Sequence, residues 1–531
     1  MQLLSVEEAR AFDEEVVKKD HIPLVWLMEN AGRGVSDVVS SLHNEGGAKG
    51  DILFVLGTGN NGADGLVAMR QLLSCGVRTK CMIVGERDRG SELFLEQLRA
   101  LEGLPLTIQY PYEEGGVSWS SEDWIKVMSG TSFLVEGLVG TGVEGALRQE
   151  IQQVILAMNE CRNRGAKIIS IDIPAGVSGN TGTVQPVHVQ ADVTVTMVAP
   201  KQGMMLYPAK KACGEIVVKS IGYPNRFSLD ERALFSRDGV SFTYAVEEAD
   251  LREIFPVREA TNHKGSHGHV LVVGGETTMV GATVMTSSAA VYAGAGKVTL
   301  AMDSAIQKLA MLKVIPEVMV AEFSIDTIAA LVKNKDVLAI GPGWGRNAQR
   351  EKALKGILRA YSGPVVLDAD ALFALGEAKK STLSEWKGRD IPTILTPHVG
   401  EFSRLSGFSV KAIESNRIEL ARTFSMEHQC VLVLKGAPTV VATPEGTVFI
   451  NTTGNPGMGT GGMGDVLTGM IAAYLGQGLL PVEASVLAVY LHGKSGDILA
   501  EERIFGFTPT EVAEMVGKVS KEMMQGAVIK K

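Results

Sequence analysis

Residues Gly454-Asn455-Pro456-Gly457-Met458-Gly459-Thr460-Gly461-Gly462-Met463-Gly464-Asp465 form a glycine run that ends in a carboxylate. Behind it Val466, Leu467, Met470, Ile471, Tyr474 and Leu475 recur with helical spacing. The first N–H groups of a helix have no internal partner and carry partial positive charge, so they attract phosphate. Glycines let a phosphate approach the backbone, because no Cβ stands in the way. A carboxylate at the mouth of such a hole can take a proton from a hydroxyl as a phosphoryl group arrives. The run therefore reads as a site for phosphoryl transfer to an alcohol, although glycine turns before helices also occur as plain structure.

Other motifs sit where a parallel sheet would present them. In the second half these are His267 to Gly275, Gly281-Ala282, Gly341-Pro342-Gly343-Trp344-Gly345, Asp368-Ala369-Asp370, Thr396-Pro397-His398-Val399-Gly400-Glu401 and Lys435-Gly436-Ala437-Pro438-Thr439. Most of them follow short apolar runs, at the strand ends where open α/β sheets bind ligands. His398 alone reads as a ligand contact or a satisfied loop histidine, and Trp344 as a stacking platform or a rim residue. In the first half, DILFVL leads into Gly57-Thr58-Gly59-Asn60-Asn61-Gly62-Ala63-Asp64-Gly65. Asn and Asp fill the places between these glycines, so this is not a dinucleotide fingerprint; such side chains can hydrogen-bond a ligand or coordinate a cation. A tight structural turn is the other reading. Glu136 to Gly142, Asp172-Ile173-Pro174-Ala175-Gly176 and Lys201-Gln202-Gly203 follow further apolar strands. Two acidic groups and two glycine loops at strand ends are expected to converge on one crevice.

The elements that must position these residues alternate almost throughout. Expected buried strands are Asp51–Leu56, Lys167–Ile173, Val193–Val198, Val270–Val273, Val337–Ile340, Val365–Leu367 and Val431–Leu434, with helical patterns between them. That rhythm implies α/β architecture, with parallel sheets covered by helices on both faces. It breaks between about Gly222 and Gly265, which places a domain boundary near residue 235 and divides the chain into 1–235 and 236–531.

The 531 residues carry a formal charge of −9 with no long basic run, which argues against a nucleic-acid partner. Five scattered cysteines, Cys75, Cys81, Cys161, Cys213 and Cys430, show no C-x-x-C pair and are expected as buried small apolar residues in a reducing compartment. The acidic, amphipathic N-terminus does not read as a signal peptide, and no apolar run is long enough to span a bilayer. A cytoplasmic protein with no membrane partner is expected.

Leu27-Met28-Glu29-Asn30-Ala31-Gly32, Asn60 to Asp64, Gly140 to Gly142 and Asp172 to Gly176 together resemble the epimerase module of the NAD(P)H-hydrate repair enzymes. The resemblance implies a Rossmann-like three-layer αβα domain. In it Asn60, Asn61, Gly62, Ala63, Asp64, Gly140, Thr141, Gly142, Val143, Glu144, Gly145, Ala146 and Asp172 would contact a hydrated nicotinamide nucleotide, with Asp172 the acid/base group at the epimerised carbon. It also implies a potassium ion held by Asn61, Glu136 and Ala175. Here the chain departs from the family pattern: Ala63 replaces a Gly, Glu136 an Asp and Ala175 a Ser. The last two changes imply a weakened or rearranged potassium site.

The second-half series is similar to the ribokinase-like fold and, within it, to the ADP- or ATP-dependent NAD(P)H-hydrate dehydratases. By that resemblance Ala282, Gly345, His398 and Asp465 would contact the hydrate. Lys435, Gly436, Ala437, Pro438, Thr439 and Gly464 would hold ADP (or ATP), with Mg2+, and Asp465 would be the base. Glu401 would hold magnesium indirectly. Met463 stands where the family often has a small Thr or Ser. The implied small-molecule partners are NADH-hydrate, NADPH-hydrate and ADP, in a symmetric homo-oligomer. Two rivals remain at this stage: a kinase of a small vitamin-precursor alcohol, and an N-terminal half that only binds or assembles.

Overall fold

The computed structural model describes residues 1–45, 51–111, 119–140, 145–223, 242–325, 328–377 and 393–525. These fall into two compact units, one within Gln2–Glu231 and one within Arg232–Lys531. The expected boundary near residue 235 lies outside the described residues.

In the first unit β1 (Asp51–Leu56), β2 (Thr79–Ile83), β3 (Thr107–Gln109), β4 (Thr131–Gly137), β5 (Lys167–Ile171), β6 (Val193–Met197) and β7 (Glu215–Lys219) form one sheet. Its order is β3-β2-β1-β4-β5-β6-β7, with every neighbouring pair parallel. Successive side chains of a strand face opposite ways. Ile52, Phe54 and Leu56 therefore join one core, with Val35 and Val39 from the helix Leu24–Glu45 and Leu66 and Met69 from the helix Asn60–Ser74. Leu53 and Val55 join a second core, with Trp124 from Ser121–Met128 and Val154, Ile155 and Met158 from Gln149–Asn163. Two buried faces make the three-layer αβα sandwich. The strand order reverses between β1 and β4, and a crevice opens at their carboxyl ends.

The second unit contains β8 (Thr243–Ala245), β9 (His269–Val273), β10 (Lys297–Met302), β11 (Val318–Glu322), β12 (Val337–Ile340), β13 (Val365–Leu367), β14 (Ile394–Leu395), β15 (Val431–Leu434), β16 (Val440–Ala442) and β17 (Val448–Ile450). These run in the order β8-β17-β16-β15-β14-β13-β12-β9-β10-β11. From β11 to β15 the pairs are parallel, and β15–β16 and β16–β17 are antiparallel. Val270, Val272, Val337, Ala339, Val431 and Val433 pack under the helices Val280–Tyr292, Met463–Gly476, Pro481–Glu502 and Pro509–Gln525. Leu271, Val273, Leu338, Ile340, Leu432 and Leu434 alternate to the other face and are equally buried. This is the ribokinase-like layering, and its order reverses between β9 and β12. Gly469 lets the helix Met463–Gly476 lie close to Val280–Tyr292, since a Cβ there would stand 2.1 Å from the Thr286 carbonyl oxygen.

Four expected strands, Asp51–Leu56, Val337–Ile340, Val365–Leu367 and Val431–Leu434, have the expected bounds. Lys167–Ile173 is shorter than expected. It stops at Ile171 because Asp172 turns to φ +63°, which breaks the ladder and re-aims its side chain. Cys75 also departs from expectation: it closes the exposed end of its helix, while the other four cysteines are buried.

Candidate active sites

In the first unit a cavity of about 1170 Å³ opens at the β1/β4 reversal. It is lined by Gly57 to Asn61 after β1, by Leu138 to Gly140 after β4 and by Asp172 after β5. Asn60, Asn61, Asp64, Gly140, Ala146 and Asp172 therefore meet where the resemblance implied. Gly62 and Ala63 do not line the cavity. A Cβ on Gly62 would stand 1.9 Å from the Gly57 carbonyl oxygen, and Ala63 is fully buried, so both shape the loop from behind. Gly145 lies away from the lining, and its carbonyl accepts from Gln185 Nε2 at 2.7 Å. Thr141, Gly142, Val143 and Glu144 lie outside the described residues.

Asp172 lines this cavity at the turn after β5. Lys201, almost wholly buried, ion-pairs with its Oδ1. Thr196 Oγ1 donates to the same oxygen at 3.1 Å, and Lys201 Nζ donates to Thr196 Oγ1 at 3.1 Å. Asp64, in the first turns of the helix Asn60–Ser74, is pushed well above the ordinary carboxylate range by burial and then by the charge of Asp172. Asp13, on the helix Val6–Lys19, lines the same cavity; burial raises it to about 6, with Lys201 opposing and Asp172 adding.

In the second unit the helix Met463–Gly476 begins at Gly462, whose φ of +100° turns the chain into the first turn. Asp465 stands in that turn. Burial and then the charge of Asp368 push it up to about 7, against the pull of Lys435. Lys435 Nζ lies 3.0 Å from where a Cβ of Gly464 would be, so its ammonium occupies the space that glycine leaves. The same Nζ donates to Asp368 Oδ1 at 2.8 Å, and Thr468 Oγ1 donates to Asp368 Oδ2 at 2.8 Å. Burial alone would lower Lys435, but Asp368, Glu401 and Asp465 around it raise it.

Lys435 is carried to this point by β15, and its N–H donates to the Pro397 carbonyl at 2.9 Å, which places the Thr396–Glu401 turn beside it. The Lys435–Thr439 turn is fastened by Thr439 Oγ1, which donates to the Gly436 carbonyl at 3.2 Å; Gly436 and Ala437 are exposed and Pro438 is buried. Gly345 N donates to the buried carboxylate of Asp370 at 2.9 Å. Ala282, half-buried on its helix, lies beside Gly343, whose Cβ would stand 3.3 Å from its own. His398 caps the helix Val399–Ser406: its Nδ1 accepts from Gly400 N at 3.0 Å and Glu401 N at 3.3 Å. That leaves Nε2 for a ligand, with Glu401 Oε1 3.6 Å away. Trp344 is neither platform nor rim. It is 1% exposed, edge-on to Phe323 with Arg350 over its ring, because the glycine turn folds it into the core.

Comparison with known proteins follows the same division. The family described as NAD(P)H-hydrate dehydratase matches residues 270–518, and the one described as YjeF-related protein N-terminus matches residues 25–203. The bifunctional NAD(P)H-hydrate repair enzyme of Thermofilum pendens is 36% identical over 95% of this chain and 93% of its own. The chain belongs to the bifunctional NAD(P)H-hydrate repair enzymes. The Escherichia coli enzyme of that name is 32% identical over 93% of this chain and 89% of its own. A solved ADP/ATP-dependent NAD(P)H-hydrate dehydratase from Bacillus subtilis, co-crystallised with ATP and Mg2+, is 33% identical and covers 52% of this chain and 97% of its own, with a TM-score of 0.48.

The potassium site that this family implies does not fit the residues present. Asn61 Oδ1 is buried without a partner, which suits a cation. Glu136 does not: its Oε1 accepts from Leu138 N at 2.8 Å, and its Oε2 accepts from Ser170 Oγ at 2.8 Å and Ala175 N at 3.3 Å. Burial raises its carboxyl to about 7, against the pull of these backbone and hydroxyl donors. Ala175 has no hydroxyl, and its carbonyl accepts from Val189 N at 2.9 Å. For magnesium, no group of three His, Cys, Asp or Glu suited to a metal occurs among the described residues. Mg2+ commonly arrives on nucleotide phosphates with its own waters, which such a site accommodates. Also among the described residues, no helix is long and apolar enough to cross a membrane.

Sequence reading gave no role to three groups that the structure brings forward. Asp368 anchors Lys435. Asp497 accepts from Gly454 N and Asn455 Nδ2, both at 2.9 Å, and so holds the start of the glycine run. Asp13 shares the first cavity with Asp172.

Proposed function

We propose that this chain restores hydrated NADH and NADPH through two chemistries on two units. The second unit dehydrates the S epimer at the expense of an adenine nucleotide, ADP in the first instance, releasing AMP and phosphate. The first unit interconverts the R and S epimers, so that all the damaged cofactor reaches the dehydratase. The observation that carries this reading is the placement of Asp465 and Lys435 about Gly464, at the head of a glycine-initiated helix.

Asp465 sits near its midpoint at neutral pH, so it can accept the proton of the ring hydroxyl. The free N–H groups at the start of its helix and the Lys435 ammonium hold the incoming phosphoryl group and the charge that builds on it. Phosphate then leaves the ring far more readily than hydroxide would. The ring nitrogen supplies the electron pair that expels it, and loss of a ring proton restores the dihydronicotinamide. Magnesium, when bound with the nucleotide, would neutralise phosphate charge; Lys435 and the helix start hold the phosphates in place. In the first unit Asp172 moves the proton of the hydroxyl on the hydrated carbon, and Lys201 and Thr196 fix its orientation.

The test is incubation of the pure chain with S-NADH-hydrate, Mg2+ and ADP or ATP. Return of the reduced-nicotinamide absorbance with one phosphate released per NADH is expected. A stable phosphorylated product without that absorbance would instead show a small-alcohol kinase.

A further inference from the structure

Three aspartates and one buried ammonium line the first-unit cavity: Asp13, Asp64, Asp172 and Lys201. They come from four separate elements: the N-terminal helix, the Asn60–Ser74 helix, the turn after β5 and the segment after β6. Lys201 is committed to Asp172 by a direct ion pair, and Thr196 shares that oxygen. Asp172 is thus set as the ionised member. Asp64 is the opposite: it holds its proton well above the ordinary range. Asp13 lines the same cavity, and the ion pair of Lys201 is with Asp172 rather than with it.

Resting on the epimerase reading given above, we propose that Asp13 is the second acid/base group of this cavity, protonated while Asp172 is ionised, and the proton donor to the ring nitrogen. The step balances within the cavity. Asp172 takes the proton of the hydroxyl on the hydrated carbon, the carbon–oxygen bond becomes a carbonyl, and the carbon–nitrogen bond breaks with its electron pair on nitrogen. The Asp13 carboxyl gives that nitrogen a proton. The open-chain aldehyde turns about its carbon–carbon bond. The nitrogen then adds to the other face, its proton returns to Asp13, and protonated Asp172 gives its proton to the new hydroxyl. No co-reactant is consumed, and both carboxyls end as they began. One group must be ionised and the other protonated at the start, and the Lys201 pairing makes them unequal.

Burial and the neighbouring Asp172 charge raise Asp13 to about 6, while Lys201 opposes them. Asp13 therefore gives up and regains a proton more readily than Asp64 does. The other charged groups lining the cavity are Arg10 on the same helix, Glu86 and Arg89 after β2, and Arg148 and Glu150 at the head of the helix Gln149–Asn163.

The experiment uses the full chain, with no nucleotide present, and follows R-to-S interconversion of NADH-hydrate by chromatography. D13N should lower epimerisation kcat at least about 100-fold with KM little changed, and D13E should recover much of it. In the unmodified chain kcat/KM should fall as pH rises through about 6, and D13N should lack that limb. Nucleotide-dependent dehydration of the S epimer should be the same in all three. D13N within about threefold of the parent, or with the same limb, overturns the proposal. Should D13N not fold, D13E carries the test: its limb must shift while KM holds, and an unmoved limb overturns the proposal. A parent chain that interconverts no epimer contradicts the epimerase reading and this inference with it. A parent that does so at the rate of D13N contradicts this inference alone.

Discussion

The two units use the same architecture in opposite ways. In the second, the backbone carries much of the site: a helix start, glycine turns and one lysine brought against Gly464. In the first, side chains from distant elements face one another across a walled cavity, and Lys201 and Asp172 meet although they follow different strands. Phosphoryl transfer needs fixed donors around an anion, which contiguous loops supply. Opening and reclosing a ring at one carbon needs unlike acid/base groups, which only tertiary packing can bring together.

The largest effect that would break this contrast is on Asp465. Asp465→Asn should lower nucleotide-dependent dehydration by about 10³-fold and leave epimerisation at its parent rate, measured separately on each epimer. Comparable loss of both activities in a folded variant would erase the division between the units. The pH dependence sharpens it. Asp465 is raised to about 7 and must be ionised to act as a base, so kcat/KM for dehydration should climb about tenfold per pH unit below 7 and level off above it. Epimerisation should run the other way at its alkaline side. A dehydration profile flat from pH 5.5 to 8 would remove Asp465 as the base.

This contrast also explains what the sequence made legible. The glycine run to Asp465, the Lys435–Thr439 turn and the Asp172 turn are short contiguous signals; the structure brings Lys435 against Gly464 and puts Asp172 in the lining of the first-unit cavity. Asp13 gave no signal, because an aspartate in an acidic amphipathic helix reads as a solvated face; only the packing of that helix puts it in the lining of the cavity with Asp64, Asp172 and Lys201. Asp368 and Asp497 likewise act through contacts distant in sequence. Several strands were also missed. Thr107–Gln109, Glu215–Lys219 and Val318–Glu322 are edge strands of the two sheets, and each carries polar or charged residues beside a short apolar core. Trp344 was misjudged because burial is not readable from a glycine turn.

Smaller effects probe the scaffolds. Gly469→Ala forces a Cβ toward the Thr286 carbonyl and should destabilise the second unit by about 1–3 kcal/mol, read from urea unfolding. Parent-like stability would mean that the two helices are free to part. Smallest of all, replacing potassium by a large organic cation should leave epimerisation within about twofold, since Glu136 is already satisfied by protein donors. A steep potassium requirement would show that Asn61 and its neighbours rebuild a site despite Ala175.

The division of labour itself is tested most directly by the extent of repair. An equilibrium mixture of R- and S-NADH-hydrate is treated with ADP and Mg2+, and the reduced-nicotinamide absorbance is followed to its plateau. The unmodified chain should recover the whole of it. Asp172→Asn should stop at the S epimer's share apart from slow spontaneous interconversion, and adding Asp465→Asn protein to it should carry recovery to completion. Full recovery by Asp172→Asn alone, at the parent rate, would contradict the account.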